Sequence, residues 1–222
     1  SENHAVRKLI PATSIVSTVV GTGAKGVNEN LAGPQRAMRA PWDVVVDASG
    51  LKLHVAEAGY NSATNYQQGY VRTLTLSDGS VSTFAGSGAA GSNNALTLLA
   101  TFHGPKGVTV DDNGVTYVAT SQNPDCKVRA ITAGGSVSTL AGSGGTSYVE
   151  GIGAVAQFSD PNVAMIGTAT VFIADFNNHV IRTIDVASRQ TALLAGAPYS
   201  QGFVDGPQSR WRWPYGLALE AT

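Results

Sequence analysis

A six-residue stretch, V-S-T-L-A-G, occupies residues 137–142 and returns three more times along the chain. The other copies read V-S-T-V-V-G at 16–21, V-S-T-F-A-G at 81–86 and T-A-L-L-A-G at 191–196. Their closing glycines lie 54 to 65 residues apart. Recurrence at this spacing is typical of an architecture built from repeated structural units.

Three further markers follow the same period. An arginine comes 13 or 14 residues before each closing glycine, at Arg7, Arg72, Arg129 and Arg182. A proline recurs 18 to 20 residues after the closing glycine, at Pro41, Pro105, Pro161 and Pro214. A bulky apolar residue comes three positions before each proline, namely Met38, Phe102, Phe158 and Trp211. We predict that these four apolar residues are buried between neighbouring units, and that the arginines have structural roles in ion pairs or carbonyl contacts.

Between the markers, the apolar runs are short, rich in Val, Ile and Thr, and bounded by Gly, Asn and Asp, as in strands. Four such strands per unit predict an all-β fold, a β-propeller with four-stranded blades. The predicted complete blades are residues 41–86, 105–142 and 161–196. Residues 1–21 would end one blade and 214–222 would begin another. The V-S-T strands should be outermost, and the strands after each proline should line the axis.

The chain resembles the NHL-repeat β-propellers over nearly its whole length. The tripeptide that names this family occurs in variant form as N-H-A at residues 3–5 and N-H-V at 178–180, each followed two residues later by the repeat arginine. The third repeat also supplies Phe158, Pro161 and Asp175 at the positions that the family pattern requires. The second repeat departs from that pattern, because Thr120 replaces the aspartate and N-P-D-C at 123–126 replaces the Asn-His stretch.

The number of predicted strands does not complete a ring. The resemblance implies about six blades, so we expect either part of a six-bladed propeller or a four-bladed ring that closes incompletely. The chain begins at Ser1 without a methionine, which favours a start that was processed or cut from something longer. Unpaired strand edges would then need the missing blades or another chain to cover them.

Composition narrows the classes of function. Fourteen basic and fifteen acidic residues give a formal net charge of −1, which argues against binding to nucleic acid. A single cysteine, Cys126, excludes an internal disulfide and a multi-cysteine zinc site. No apolar run has the length of a transmembrane helix. We predict no cofactor, and the low charge favours an extracellular or cell-surface location.

An insertion in the first complete repeat is one candidate binding site. Sixteen residues separate Ala56 from Arg72, whereas the equivalent distances in the next two repeats are ten and eight. The insertion predicts a projecting loop over residues 60–70, in which tyrosines and small polar residues resemble the composition of binding loops. The candidate residues are Tyr60, Asn61, Asn65, Tyr66 and Tyr70. The alternative is a longer solvated loop, with Tyr70 in a structural role.

The residue after each repeat proline is the second candidate. These residues are Trp42, Lys106, Asn162 and Tyr215, and they differ from one another although the surrounding pattern is strict. We expect them to form a ring at one mouth of the central channel. The alternative is that they only cover the surface.

Two functions fit these observations. The first is a non-catalytic protein-interaction or adhesion module that presents loops on the propeller rim to a protein partner. The alternative, implied by enzymes with related propellers, is a lyase or lactonase with a divalent metal in the channel. Its candidate ligands would be Asp43, Asp47, Asp111 and Glu220, although Asp47 and Asp111 also suit the start of turns. No catalytic motif supports a specific reaction.

Overall fold

The structure is a computed structural model that describes residues 3–24, 37–61, 66–121, 123–166, 169–206 and 208–218. In these ranges, fourteen strands form one two-stranded and three four-stranded antiparallel sheets. The two-stranded sheet contains β1 (Val6–Ile10) and β2 (Ile15–Val20). The first sheet contains β3 (Pro41–Val46), β4 (Lys52–Asn61), β5 (Tyr66–Thr75) and β6 (Val81–Ala85). The second contains β7 (Pro105–Val110), β8 (Thr116–Thr120), β9 (Cys126–Ile131) and β10 (Val137–Gly144). The third contains β11 (Pro161–Ile166), β12 (Thr170–Asp175), β13 (Val180–Asp185) and β14 (Thr191–Gly196).

Each four-stranded sheet is a meander in which consecutive strands pair. The first strands of neighbouring sheets contact one another, β3 beside β7 and β7 beside β11. The V-S-T strands β6 and β10 and the related β14 form the opposite edges of their sheets. This arrangement confirms the predicted all-β propeller fold, with the strands after Pro41, Pro105 and Pro161 on the inside.

Helical structure in the described part of the chain is limited to short 3₁₀ turns at Thr97–Leu99, Gly153–Val155 and Phe176–Asn178. None of the described helices is long and apolar enough to cross a bilayer.

Neighbouring sheets pack face to face through apolar side chains. One cluster joins Ala56 and Val71 of the first sheet to Val118 and Ile131 of the second. A larger cluster joins Tyr117, Val128 and Leu140 of the second sheet to Val171, Ile173 and Ile184 of the third. The predicted anchors Met38, Phe102 and Phe158 are 1%, 0% and 0% exposed, which confirms that they are buried.

The fourth anchor prediction is wrong, because Trp211 is 44% exposed. Its position relative to the preceding sheet is nonetheless the expected one. A Cβ placed on Gly196 would lie 3.0 Å from Cδ1 of Trp211, just as one on Gly86 would lie 3.2 Å from Cδ2 of Phe102. Phe102 and Phe158 are each followed by a four-stranded sheet that covers them, whereas no such sheet follows Trp211 in the described residues.

The predicted first strand at 214–222 is not formed where the structure describes it. Residues 214–218 carry no strand, and 219–222 lie outside the described residues. A strand requires hydrogen bonds to a neighbouring strand, and the described chain offers residues 214–218 no second strand of their own sheet.

Three of the repeat arginines are fully buried, and their contacts confirm the structural role predicted for them. Arg72 Nε donates to Glu57 Oε2 over 2.7 Å. Arg182 Nη1 lies 2.9 Å from Asp175 Oδ2 and its Nη2 lies 2.8 Å from Glu150 Oε2. Arg129 has no carboxylate at the equivalent place, because the residue there is Thr120. It donates instead to the carbonyl oxygens of Thr101 and Asn93 and to Asn94 Oδ1.

Cys126 at the start of β9 should be nearly inert in the folded protein. It is 1% exposed, and burial raises the pKa of its thiol to about 11. Since the thiolate is the reactive form, we expect its reaction with a disulfide reagent at pH 8 to be at least about 100-fold slower than in guanidinium-unfolded protein. Following thiol release by absorbance under both conditions tests this, and similar rates would contradict it.

Candidate functional site

The four residues that follow the repeat prolines lie at one end of the inner strands. Trp42, Lys106 and Asn162 are the second residues of β3, β7 and β11, which lie side by side. Trp42 and Tyr215 are 39% and 40% exposed, Lys106 is half-buried and Asn162 is 8% exposed. We call this end of the inner strands the channel mouth.

Lys106 connects three sheets at the channel mouth. Its Nζ lies 2.7 Å from Asp160 Oδ1, next to the third sheet, and 5.2 Å from the centre of the Trp42 ring in the first sheet. A cation over an indole ring is attracted by the negative face of the ring. The ammonium group is therefore held between a carboxylate and an aromatic ring.

Sequence reasoning missed Asp160, which precedes Pro161. Its φ is +57°, and the residues before two other repeat prolines, Gly104 and Trp213, also have positive φ values of 60° and 54°. The left-handed conformation of the residue before the proline thus recurs. The sequence indicates it only weakly, because just one of the three residues is glycine.

Asn162 is a packing residue more than a surface one. Its Oδ1 accepts a hydrogen bond of 2.8 Å from the Val163 backbone N–H. The same oxygen occupies the space beside Gly107, where any Cβ would overlap it. Asn162 therefore fills the contact between β7 and β11 and adds little exposed surface to the channel mouth.

Asp43 ties the first sheet to the second. Its Oδ1 accepts the Val44 N–H and its Oδ2 accepts the Val108 N–H of β7, both over 2.9 Å. Burial raises the pKa of this carboxyl group, and the two backbone hydrogen bonds oppose that rise. Both carboxylate oxygens are thus already occupied by backbone donors.

Tyr215 lies near Asp160 and Asp43 at the channel mouth. Burial raises the pKa of its phenol, and the negative charges of Asp160 and Asp43 raise it further. Its ring meets Phe176 edge to face, with centroids 6.0 Å apart, and Phe176 stacks on Trp213 at 6.1 Å. The aromatic surface therefore continues outward from the channel mouth.

The other candidate ligands of a channel metal do not converge. Asp47 and Asp111 each accept backbone hydrogen bonds inside their own turns, as their alternative interpretation predicted. Glu220 lies outside the described residues. No group of three or more His, Cys, Asp or Glu side chains among the residues that the structure describes could hold a metal ion.

The loop predicted over residues 60–70 is mostly a hairpin instead. β4 and β5 remain paired out to Asn61 opposite Tyr66, because tyrosine favours strands and a paired backbone satisfies its own polar groups. Asn65 and the side chains of Tyr60, Asn61 and Tyr66 lie outside the described residues. Tyr70 is half-buried, and its ring lies 4.0 Å from the Arg72 guanidinium, which supports the structural role considered for it.

Comparison with models of known protein families gives no match. The curated relatives include the Arabidopsis thaliana protein SUPPRESSOR OF QUENCHING 1, chloroplastic, which is 28% identical over 237 residues. They also include NHL repeat-containing protein 2 of Homo sapiens, 26% identical over 288 residues. The two alignments cover 99% and 93% of this chain, but only 21% and 40% of the relatives. The chain thus spans less than half the length of these proteins.

Solved structures show the same fold. A structural genomics protein of unknown function from Bacteroides thetaiotaomicron matches with a TM-score of 0.66 at 16% identity, over 97% of this chain and 48% of that protein. An auxiliary nutrient binding protein from the same organism matches with a TM-score of 0.51, also at 16% identity, over 86% of this chain and 42% of that one. Together with the repeat markers and the three four-stranded sheets, the sequence alignments with NHL repeat-containing protein 2 make the chain a relative of the NHL repeat-containing proteins.

Proposed function

We propose that the chain is a non-catalytic interaction module that binds a protein partner at the channel mouth. The observation that carries this proposal is the pair of exposed aromatic rings, Trp42 and Tyr215, on either side of the Lys106–Asp160 ion pair. Each ring is about 40% exposed and is therefore accessible to a partner.

The chemistry of the channel mouth is that of a protein–protein interface. Trp, Tyr and Arg dominate the binding energy of such interfaces, and polar groups around them set orientation. Phe176, Trp213 and Arg212 extend the aromatic surface, with the Arg212 guanidinium 4.4 Å from the Trp213 ring. Trp42 is held at the start of the paired strand β3, so little conformational entropy of this residue would be lost on binding.

Recognition is favoured over acid–base chemistry because the carboxylates are already engaged. Asp160 is paired with Lys106, and both oxygens of Asp43 accept backbone N–H groups. A general acid or base needs a carboxyl group that can reach a substrate proton.

The test compares substitution of two pairs of aromatic residues on the same chain. We expect Trp42→Ser with Tyr215→Ser to raise the Kd for the partner by about 30-fold or more, the effect of removing at least one interface hot spot. The partner would be isolated with the unaltered chain, purified and titrated against each variant by calorimetry.

The matched control is Tyr60→Ser with Tyr66→Ser in the β4–β5 hairpin. This pair also removes two aromatic rings, and it should leave the Kd within about threefold while thermal unfolding shows that both variants remain folded. Unchanged binding in the channel-mouth variant, with loss in the hairpin variant, would move the binding site to the hairpin.

A further inference from the structure

A cleft of about 390 Å³ lies between the first and second sheets, away from the channel mouth. It opens beside the turns that follow β3 and β7, whereas the channel mouth lies where those strands begin. His54, Thr73 and Phe84 form its floor. Its rim includes Asp47, Lys52, Asp112 and Asn113. A volume of this size accommodates a small organic molecule.

The equivalent place between the second and third sheets holds a larger buried ring. His54, Tyr117 and Phe172 are equivalent residues, because each pairs across its sheet with the residue that follows the buried arginine. Tyr117 is 2% exposed and packs within the cluster that joins the second and third sheets, and Val186 packs against that cluster. In the first sheet the smaller imidazole of His54 replaces the phenol ring. Ala133, in the turn after β9, lines the cleft. Val186 has the equivalent position in the third sheet, in the turn after β13.

The carboxylate that accepts the Tyr117 hydroxyl also has an equivalent in the first sheet. Asp111 begins the turn after β7, accepts the N–H groups of Asn113 and Val115 with Oδ1, and accepts the Tyr117 hydroxyl with Oδ2 over 3.2 Å. Asp47 begins the turn after β3, and its Oδ1 likewise accepts two backbone N–H groups. Its Oδ2 receives only the Ser49 hydroxyl within the described chain, over 2.7 Å. The turn that holds a phenol hydroxyl in one interface is therefore present in the other, where the phenol ring is absent.

The floor of the cleft suits a flat ring. The His54 and Phe84 rings lie 4.6 Å apart and are tilted by 36°. His54 is 7% exposed, and its Nδ1 lies 3.2 Å from Thr73 Oγ1. Burial lowers the pKa of the imidazole, so it is neutral at neutral pH and can either donate or accept a hydrogen bond. Aromatic rings pack favourably against such a floor in offset or edge-to-face arrangements.

We propose that this cleft binds a phenol ring, packed against the His54 and Phe84 rings, with its hydroxyl donating to Asp47 as the Tyr117 hydroxyl donates to Asp111. The ligand would supply the phenol hydroxyl that His54 lacks, and the rest of the ligand would lie along the exposed rim. This site does not depend on the function proposed for the channel mouth.

The test uses p-cresol, which has the side-chain structure of tyrosine, titrated into the whole chain and followed by NMR or calorimetry. We expect saturable binding, and about tenfold weaker binding of toluene, since toluene lacks the hydroxyl that would reach a charged acceptor. The variant His54→Tyr should place its own hydroxyl against Asp47 and abolish p-cresol binding. The matched control Phe172→Tyr, at the equivalent position of the third sheet, should leave binding unchanged.

A second variant tests the proposal independently in case His54→Tyr does not fold. Ala133→Val restores the larger side chain found in the third sheet and should weaken p-cresol binding several-fold by narrowing the cleft.

The phenol group could belong to a polypeptide or to a free small molecule, and N-acetyltyrosine methylamide distinguishes these two sources. Equal affinity for it would assign the cleft to a tyrosine side chain of a polypeptide, and much weaker affinity would assign it to a free small phenol. The proposal is overturned if p-cresol does not bind, if toluene binds equally well, or if neither variant weakens binding.

Discussion

Replacing Arg182 with methionine should lower the free energy of unfolding by about 3–5 kcal/mol, the usual result of removing one partner from a buried ion pair. The guanidinium is fully buried and binds two carboxylates, Asp175 at 2.9 Å and Glu150 at 2.8 Å. Burial raises the pKa of Asp175 even though Asn178, Ser159 and Arg182 all donate to it. Without the guanidinium, Asp175 would be a buried carboxylate that has lost its counter-charge.

Urea-induced unfolding at pH 7 measures this loss, and the repeat itself supplies a control. Arg7 occupies the same position of the repeat, but it is exposed. Arg7→Met should therefore change the free energy of unfolding by no more than about 0.5 kcal/mol. Arg129→Met should fall between the two, because Arg129 binds carbonyl groups and leaves no unpaired charge behind. Equal losses for Arg7→Met and Arg182→Met would show that the ion pairs do not stabilise the sheets.

The periodic features of the fold could be predicted from the sequence because each is local or repeated. The V-S-T strands, the buried arginines and the anchors Phe102 and Phe158 recur at fixed spacing, and the arginines and anchors are buried wherever complete sheets surround them. Each further copy of a motif is therefore additional evidence for the structure predicted at that position of the repeat.

The features that could not be predicted depend on what lies next to a residue in space. Trp211 has the spacing of an anchor, yet its burial needs a following sheet that the described chain does not provide. The length of the β4–β5 hairpin depends on cross-strand pairing, which an insertion in the sequence does not reveal.

The channel mouth was predictable only in outline. Its position follows from the repeat prolines, but the ion pair between Lys106 and Asp160 joins residues 54 positions apart in different sheets. Whether Asn162 is exposed depends on the missing side chain of Gly107, which lets the Asn162 amide enter the space between the strands.

The second large effect concerns the apolar anchors. Phe158→Ala should cost about 3–5 kcal/mol in the free energy of unfolding, as expected when a fully buried phenylalanine is truncated and leaves a cavity. Phe158 is 0% exposed and lies in the cluster that joins the second and third sheets. Its ring also lies 4.5 Å from the Arg182 guanidinium, so the truncation removes a cation–π contact together with apolar packing.

Trp211→Ala is the matched control for this anchor, because Trp211 has the same place in the repeat and is 44% exposed. Its truncation should cost about 1–2 kcal/mol, clearly less than that of Phe158, since nearly half of the residue already contacts water. Because Phe158 and Arg182 touch, their losses should not add, and the double variant should be less unstable than the sum by about 0.5–3 kcal/mol. A cost below about 1 kcal/mol for Phe158→Ala would mean that the sheets are held together without the anchors. Additive losses in the double variant would mean instead that the buried arginine and the anchor stabilise the interface independently.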